Sequence, residues 1–158
     1  MAATNIFISH IHEDDPHIEP MKTLLRDHGY DVRDSSIDSG NANRATNPDY
    51  IKSSVLAPAM DWASTMLVLI SRETCESGWV DWEIRYAQEH DKRIVGVYAP
   101  GASDSDIPQA LEDYGKAVVG WQAERIIDAI NGAVNEWDAP DGSRRSERLI
   151  TRIRCQIR

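Results

Sequence analysis

The sequence has 158 residues, of which 41% are hydrophobic, which is enough for one well-buried domain and short for two. Its formal net charge of −9 at pH 7 argues against general nucleic-acid binding, because neutralising phosphates requires a basic surface. The chain has neither a run of about 18 apolar residues nor a basic leader followed by an apolar segment, so we predict a cytoplasmic protein without a membrane span or secretory signal.

The first part of the chain predicts a strand, a helix and a second strand. Asn5–Ser9 is a short apolar run that turns polar at its end, as a buried strand does at the edge of a sheet. Asp15-Pro16 then offers an N-cap and a proline at the first helical position, and His28-Gly29 provides a stop. Tyr30–Arg33 is a weaker strand. We therefore expect a β-α-β beginning.

A long polar segment, residues 34–49, follows the second strand, and loops of this length are often functional. Thr65–Ile70 is the most apolar run in the chain and predicts a central strand covered on both faces. The other elements alternate along the chain: a short helix near residues 50–59, a helix opening at Ser77, a strand at 92–98, a helical turn at 107–111, a strand at 117–120 and a helix at 122–137. Such alternation predicts an α/β protein with a parallel sheet of about five strands flanked by helices.

Ligands of such sheets bind beyond the carboxyl ends of the strands, near the point where the strand order reverses. Those ends carry polar residues in this sequence: Ser9-His10, Asp34-Ser35-Ser36, Ser71-Arg72 and Tyr98. The helix that follows the central strand opens at the same edge of the sheet. We therefore expect the functional site there.

The helix that opens at Ser77 carries the clearest functional candidate. Ser77 can cap the helix, and the helix dipole favours an ionised Glu83 in the opening turns. Trp79 lies one turn before Glu83 on the same face, which suits a planar ligand with a reacting centre beside it. The adjoining stripe is apolar and consists of Val80, Ile84 and Ala87. The alternative is that Trp79 and Trp82 are core anchors and Glu83 is a solvated helix charge.

Several kinds of chemistry are excluded because their motifs are absent: the glycine-rich dinucleotide fingerprint, the phosphate loop and the serine nucleophile elbow. A cluster at His10, His12, Glu13 and Asp14 could suggest a metal, but such groups beside a helix start more often cap and face solvent, so we predict no metal site. A single carboxylate, Glu83, remains. One carboxylate suffices when the leaving group departs readily, as neutral nicotinamide does from NAD.

Three segments together carry a family resemblance. They are Ile-Phe-Ile-Ser-His at the first strand, Val-Leu-Ile-Ser at the third, and Ser77-x-Trp79-Val-x-Trp-Glu83-Ile-x-x-Ala87 before Lys-Arg-Ile-Val-Gly-Val. With them the sequence resembles the TIR-like family of flavodoxin-type domains over residues 4–137. It looks closest to the branch that includes the TIR protein of the bacterial Thoeris anti-phage system.

The resemblance implies a TIR-like domain at residues 1–137 and a basic tail at 138–158. It implies that Glu83 is the catalytic glutamate. It further implies that a set of residues lines the substrate site: Phe7, Ser9, His10, Ser36 and Trp79. Enzymatic members cleave the nicotinamide–ribose bond of NAD, which is then a substrate, and no cofactor is expected. Thoeris members resemble cyclases whose cyclic ADP-ribose isomer switches on a separate effector protein.

Some features depart from the family, and other functions stay open. The cysteine often found between the tryptophan and the glutamate is Val80 or Asp81 here, and we expect no effector or sensor domain in the chain. One alternative is a non-enzymatic interaction module that works through assembly, with homo-oligomers as its product. The other is an enzyme like the nucleoside 2-deoxyribosyltransferases, which also places a glutamate at a ribose.

The end of the chain contrasts with the body in charge. From Asp138 onward there are six arginines and three acidic residues, which leaves a net charge of −12 on the preceding part. An apolar helical stripe in this tail could dock onto the acidic domain or onto a second copy, and a solvated terminus is the alternative. The only two cysteines, Cys75 and Cys155, have no partner at metal spacing and are predicted to be free thiols.

Overall fold

The computed structural model describes residues 5–11, 15–34, 57–72 and 74–140. The strands in these ranges are β1 (Asn5–Ser9), β2 (Asp31–Asp34), β3 (Thr65–Ile70), β4 (Arg93–Tyr98) and β5 (Ala117–Val119). The helices are α1 (Asp15–Asp27), α2 (Ala57–Trp62), α3 (Gly78–Glu89), α4 (Gln109–Tyr114) and α5 (Ala123–Asn131). Short 3-10 turns at Thr74–Glu76 and Asp104–Asp106 follow β3 and β4. No helix in these ranges combines the length and the apolar character needed to cross a membrane.

The strands form one parallel sheet in the order β2-β1-β3-β4-β5. The strand order reverses between β1 and β3, because the chain first moves outward to β2 and then returns past β1. At this position Ser9, the last residue of β1, lies opposite Val68 of β3. The predicted parallel sheet of about five strands flanked by helices is therefore confirmed, and its order is the flavodoxin-like one.

Successive side chains of each strand point into two different cores. On β1, Phe7 packs into the core beneath α2, α3 and α4, whereas Ile6 and Ile8 pack into the core beneath α1 and α5. The predicted stripe of α3 lies fully buried in the first core. Every residue of β3 is buried, as a continuous apolar run predicts for a central strand. Ser9 follows Phe7 by two residues and therefore lies on the side of the sheet that α3 covers.

The last helix is shorter than the sequence predicts. α5 ends at Asn131 rather than near Trp137, because Gly132 adopts a left-handed conformation with φ of 90°, which glycine reaches without steric cost. The Val134 N–H then donates to the Asp128 carbonyl at 3.0 Å. Val134 and Trp137 still pack against the two cores, but from the segment after the helix.

The segment after α5 closes the outer edge of the sheet. The Val118 N–H donates to the Glu136 carbonyl at 3.1 Å, and the Asp138 N–H donates to the Val118 carbonyl at 2.7 Å. Arg125 donates two hydrogen bonds to the Asp138 carboxylate, from Nε to Oδ2 at 3.0 Å and from Nη2 to Oδ1 at 2.8 Å. The Tyr98 hydroxyl donates to the Asp138 carbonyl at 3.0 Å. Asp138 is thus a buried carboxylate that forms a salt bridge with Arg125 of α5.

Cys75 departs from the predicted free thiol. It lies in the turn after β3, is buried and is disulfide-bonded. The prediction failed because spacing along the sequence does not report distance in space. Other predicted features lie outside the described residues: Ser36 and its long loop, the segment with His12, Glu13 and Asp14, and the tail from residue 141 onward, including Cys155.

The contact between Arg125 and Asp138 should matter for stability. Replacing Arg125 by alanine removes the cation that pairs with the buried Asp138 carboxylate. We expect the free energy of unfolding to fall by about 2 kcal/mol. The loss is smaller than for a fully buried pair because water reaches the Arg125 side chain. Denaturant unfolding measures this loss. Arg26→Ala, the same change at an exposed helix position, should stay within about 0.5 kcal/mol of the parent; equal effects of the two substitutions would contradict the assignment.

Candidate active site

The connection from β3 to α3 is fixed by the Thr74 side chain. The Ser71 N–H donates to Thr74 Oγ1 at 2.8 Å, and the Thr74 hydroxyl donates to the Leu69 carbonyl at 3.3 Å. Thr74 is fully buried, so these bonds satisfy polar groups that water does not reach. The turn therefore sets where α3 begins relative to the end of β3.

The first turn of α3 has the predicted cap. Ser77 has an extended backbone, and its side chain accepts from the Val80 N–H at 3.1 Å, which confirms Ser77 as the N-cap. Asp81 lies in the first turn, where the helix dipole favours negative charge, and accepts from Arg85 Nε at 2.9 Å. This hydrogen bond raises the pKa of Arg85. The negative charge of Asp81 is thus paired with Arg85 one turn further along the helix.

Glu83 lies in the interior of the protein, at the carboxyl ends of β1 and β3. Only 1% of its surface is exposed, and Ser9 is fully buried. The Ser9 hydroxyl donates to Glu83 Oε1 at 2.6 Å, a short hydrogen bond between two side chains that water barely reaches. The chain order thus brings a serine from the first strand against an acid from α3, at the point where the strand order reverses.

The other predicted site residues take different positions. His10 is largely buried, and its Nδ1 lies 2.9 Å from the Ile11 carbonyl. Phe7 is fully buried in the core beneath α3. Trp79 is 38% exposed and lies one turn before Glu83. The structure therefore groups Ser9 with Glu83, buries Phe7 in the core on the same side of the sheet and leaves Trp79 partly exposed in the first turn of α3.

The alternative interpretation of α3 fails on two residues. Glu83 is not a solvated helix charge, since its surface is almost entirely buried. Trp79 is not a core anchor, since more than a third of its surface is exposed. Trp82, in contrast, does pack against the core beneath α3.

The far end of α3 is held by Tyr86. Its hydroxyl donates to Asp61 Oδ1 on α2 at 2.7 Å, and its ring stacks on His90 with a centroid distance of 4.0 Å. Partial burial, together with the hydrogen bond to Asp61, raises the pKa of Tyr86 to about 12. α3 is therefore anchored on both sides of Glu83.

The described residues contain no cluster of metal ligands. Within residues 5–11, 15–34, 57–72 and 74–140, no group of three or more His, Cys, Asp or Glu side chains is arranged to hold a metal ion. His12, Glu13 and Asp14 lie outside these ranges, so the weak metal pattern in the sequence has no structural description.

This geometry defines a class of protein: a flavodoxin-type α/β fold with a buried carboxylate where the strand order reverses. Residues 7–104 match the family described as "Thoeris protein ThsB, TIR-like domain", which is more than half of the 158-residue chain. The chain belongs to this Thoeris ThsB TIR-like family. The resemblance inferred from its motifs is thereby confirmed.

Two solved structures are similar to this chain to different extents. A conserved protein from Enterococcus faecalis V583 is 14% identical with a TM-score of 0.56, and the similarity covers 84% of this chain and 100% of that one. A response regulator receiver domain protein (CheY-like) from Methanospirillum hungatei JF-1 is 22% identical with a TM-score of 0.45, covering 82% of this chain and 93% of that one. No curated protein matches the chain. At such identity the Enterococcus structure shows the fold alone.

Two features of the site go beyond the sequence prediction. Ser9 is expected to line the substrate site, and the structure shows in addition that its hydroxyl donates a hydrogen bond to Glu83. Thr74 is not among the predicted residues, although it fixes the start of α3. A threonine placed between an apolar strand and a serine N-cap is the sequence signal that would have identified it.

Removing the Thr74 hydroxyl should loosen this turn. Thr74→Val keeps the shape but removes the hydrogen bonds that Thr74 Oγ1 forms with the Ser71 N–H and the Leu69 carbonyl. We expect a loss of about 1–3 kcal/mol in the free energy of unfolding. Urea unfolding measures it. Thr65→Val, the same change at the other end of β3, serves as the control and should cost less. Equal losses would show that the hydroxyl has no special role at position 74.

The Tyr86 hydroxyl should lose its proton at a higher pH than an ordinary tyrosine. Since its pKa is raised to about 12, folding favours the neutral phenol; this contribution to stability is complete below about pH 10, the ordinary tyrosine value, and is lost as the pH rises through the folded pKa. The tyrosinate absorbance of the parent minus that of Tyr86→Phe should give this midpoint. Asp61→Ala should lower it. A midpoint at or below the ordinary value in the parent would contradict the expected anchoring.

Proposed function

We propose that the protein is an NAD-consuming enzyme that cleaves the nicotinamide–ribose bond and forms a cyclic ADP-ribose-type product. Membership in the Thoeris ThsB TIR-like family supports a role in Thoeris-type anti-phage defence. The observation that carries the enzymatic part is the Glu83 carboxylate, buried beside Ser9 at the carboxyl ends of β1 and β3. In this proposal NAD is a substrate, no cofactor is required, and the product acts on a separate effector protein.

The proposed reaction requires stabilisation of positive charge. As the bond between the ribose anomeric carbon and the pyridinium nitrogen breaks, its electron pair passes to the nitrogen, and nicotinamide leaves neutral without a proton. The sugar becomes cation-like, and a nearby carboxylate stabilises that charge, most effectively where water is excluded. A nucleophile from the same molecule then closes the cyclic product, whereas water gives ADP-ribose.

The residues around Glu83 suit the proposed role in different ways. Trp79 offers a partly exposed indole, which can stack on a planar group of the substrate. His10 follows Ser9 at the end of β1 and is 8% exposed. Ser36 belongs to the proposed site by resemblance and lies outside the described residues. Because Glu83 is itself nearly inaccessible, substrate entry requires neighbouring groups to move.

The test is nicotinamide release from NAD by the purified full chain, with mass spectrometry of the products. Glu83→Gln should lower the rate by about 100-fold or more, since it removes the charge that stabilises the transition state. Glu89→Gln makes the same chemical change at an exposed position of α3 and should leave the rate within a factor of about two. A Glu83→Gln protein that releases nicotinamide at the parental rate would refute the catalytic role.

The same preparations separate the two alternatives. A carboxylate buried at a ribose site also fits deoxyribosyl transfer, so base exchange on a deoxynucleoside, without NAD turnover, would favour that enzyme class. An interaction module would instead show concentration-dependent self-association with neither activity. Parallel measurement of product formation and of mass in solution distinguishes the three outcomes.

A further inference from the structure

We propose that Ser9 is a positioning residue, which orients the Glu83 carboxylate and keeps it ionised, rather than a residue that contacts the substrate. This inference rests on the proposed function, since it concerns the same carboxylate. It assigns to Ser9 a role different from the substrate-binding one that the family resemblance implies.

The hydrogen bond itself excludes a second donation. A serine hydroxyl carries one hydrogen, and an ionised carboxylate can only accept, so at 2.6 Å the Ser9 hydrogen is directed at Glu83 Oε1. Ser9 has no exposed surface. While this bond to Glu83 is kept, the Ser9 hydroxyl has no hydrogen left to donate to a substrate.

Both partners are held by rigid elements. Ser9 lies in the ladder between β1 and β3, opposite Val68. Glu83 lies among fully buried neighbours on α3, including Val80 and Ile84. A hydrogen bond between two fixed elements restricts the rotation of the glutamate side chain, and preorganised groups of this kind stabilise charge without reorganising during the reaction.

The bond also acts on the charge state of the acid. Donation to the charged form of a carboxylate favours ionisation, whereas burial opposes it. Other titratable or charged groups lie on α3 and around it. α3 and its C-cap carry Asp81, Arg85, Tyr86, Glu89 and His90. β4 and α4, which pack against α3, add Arg93, Tyr98, Glu112, Asp113 and Tyr114. Asp61 of α2 accepts from Tyr86, and His10 follows β1. These groups are the same in the parent and in a Ser9 variant, so a difference between the two proteins reports the lost hydroxyl.

The first experiment compares Ser9→Ala with the parent in steady-state NAD cleavage across pH. We expect kcat to fall by about 10-fold or more, with little change in KM. The acid limb of the kcat/KM profile should move upward by about one pH unit, because the ionised carboxylate has lost a donor. Ser9→Thr keeps the hydroxyl and should restore the profile, while Thr65→Val, a buried change at the opposite end of the sheet, should leave it unchanged.

A second measurement does not depend on turnover. In the full chain labelled with carboxyl-¹³C glutamate, the Glu83 resonance is assigned by its absence in Glu83→Gln and followed against pH. In Ser9→Ala its titration midpoint should rise by about one unit. An unchanged midpoint would overturn the inference, as would a Ser9→Ala variant whose main defect is in KM.

The two proposals fail separately. Absence of nicotinamide release by the parent, or parental activity in Glu83→Gln, refutes the proposed function, and the carboxylate titration then still decides the role of Ser9. An active parent and an inactive Glu83→Gln, combined with a normal Ser9→Ala profile, refute only the role of Ser9. Thermal unfolding of each variant shows whether it is folded at the assay temperature.

Discussion

The hydrogen bond from Ser9 to Glu83 compensates a carboxylate that folding removes almost completely from water. Burying such a group is unfavourable unless hydrogen bonds or opposite charges replace its hydration. Here the donor comes from the last residue of β1 and the acceptor from α3, so this hydrogen bond exists only when helix and sheet keep their relative position. The rest of the architecture can be understood through this requirement.

The position of α3 is set by contacts that surround the carboxylate without including it. Thr74 ties the end of β3 to the turn, and Ser77 caps the first turn. Tyr86 joins the later part of the helix to Asp61 of α2. Between these points the apolar stripe of α3 packs on the same side of the sheet as Phe7. A helix fixed in this way can hold a charged side chain at a defined place, which electrostatic stabilisation of a reaction requires.

The elements follow from local patterns, and the site follows from them only in part. The apolar runs at β1 and β3 specify buried strands, and alternation along β1 places Ser9 on the side of Phe7. Spacing on α3 places Glu83 at the border of the buried stripe, where either burial or solvation is consistent with the pattern. The choice depends on β1 lying next to β3, which is a contact between residues 74 positions apart. No local pattern encodes that neighbourhood.

Two further differences have the same origin. Gly132 is a residue type that often ends a helix, but the apolar spacing of Val134 and Trp137 extends the predicted helix past it. In the structure both residues pack against the cores from the segment after α5. Whether Cys75 forms a disulfide depends on a distance in space that spacing along the sequence does not report. In each case, tertiary contact decides between local alternatives that the sequence leaves balanced.

In the proposed enzyme, burial both strengthens the action of the Glu83 carboxylate and restricts access to it. Electrostatic attraction to a developing positive charge is stronger where water is excluded, but a dinucleotide cannot touch a side chain that is 1% exposed while its surroundings stay fixed. In the proposed reaction β1 and α3 stay in place, because displacing either would break the hydrogen bond between Ser9 and Glu83. The proposed reaction therefore requires an opening beyond the strand ends, where Trp79 is exposed at the start of α3, and Glu83 then keeps its hydrogen-bond donor.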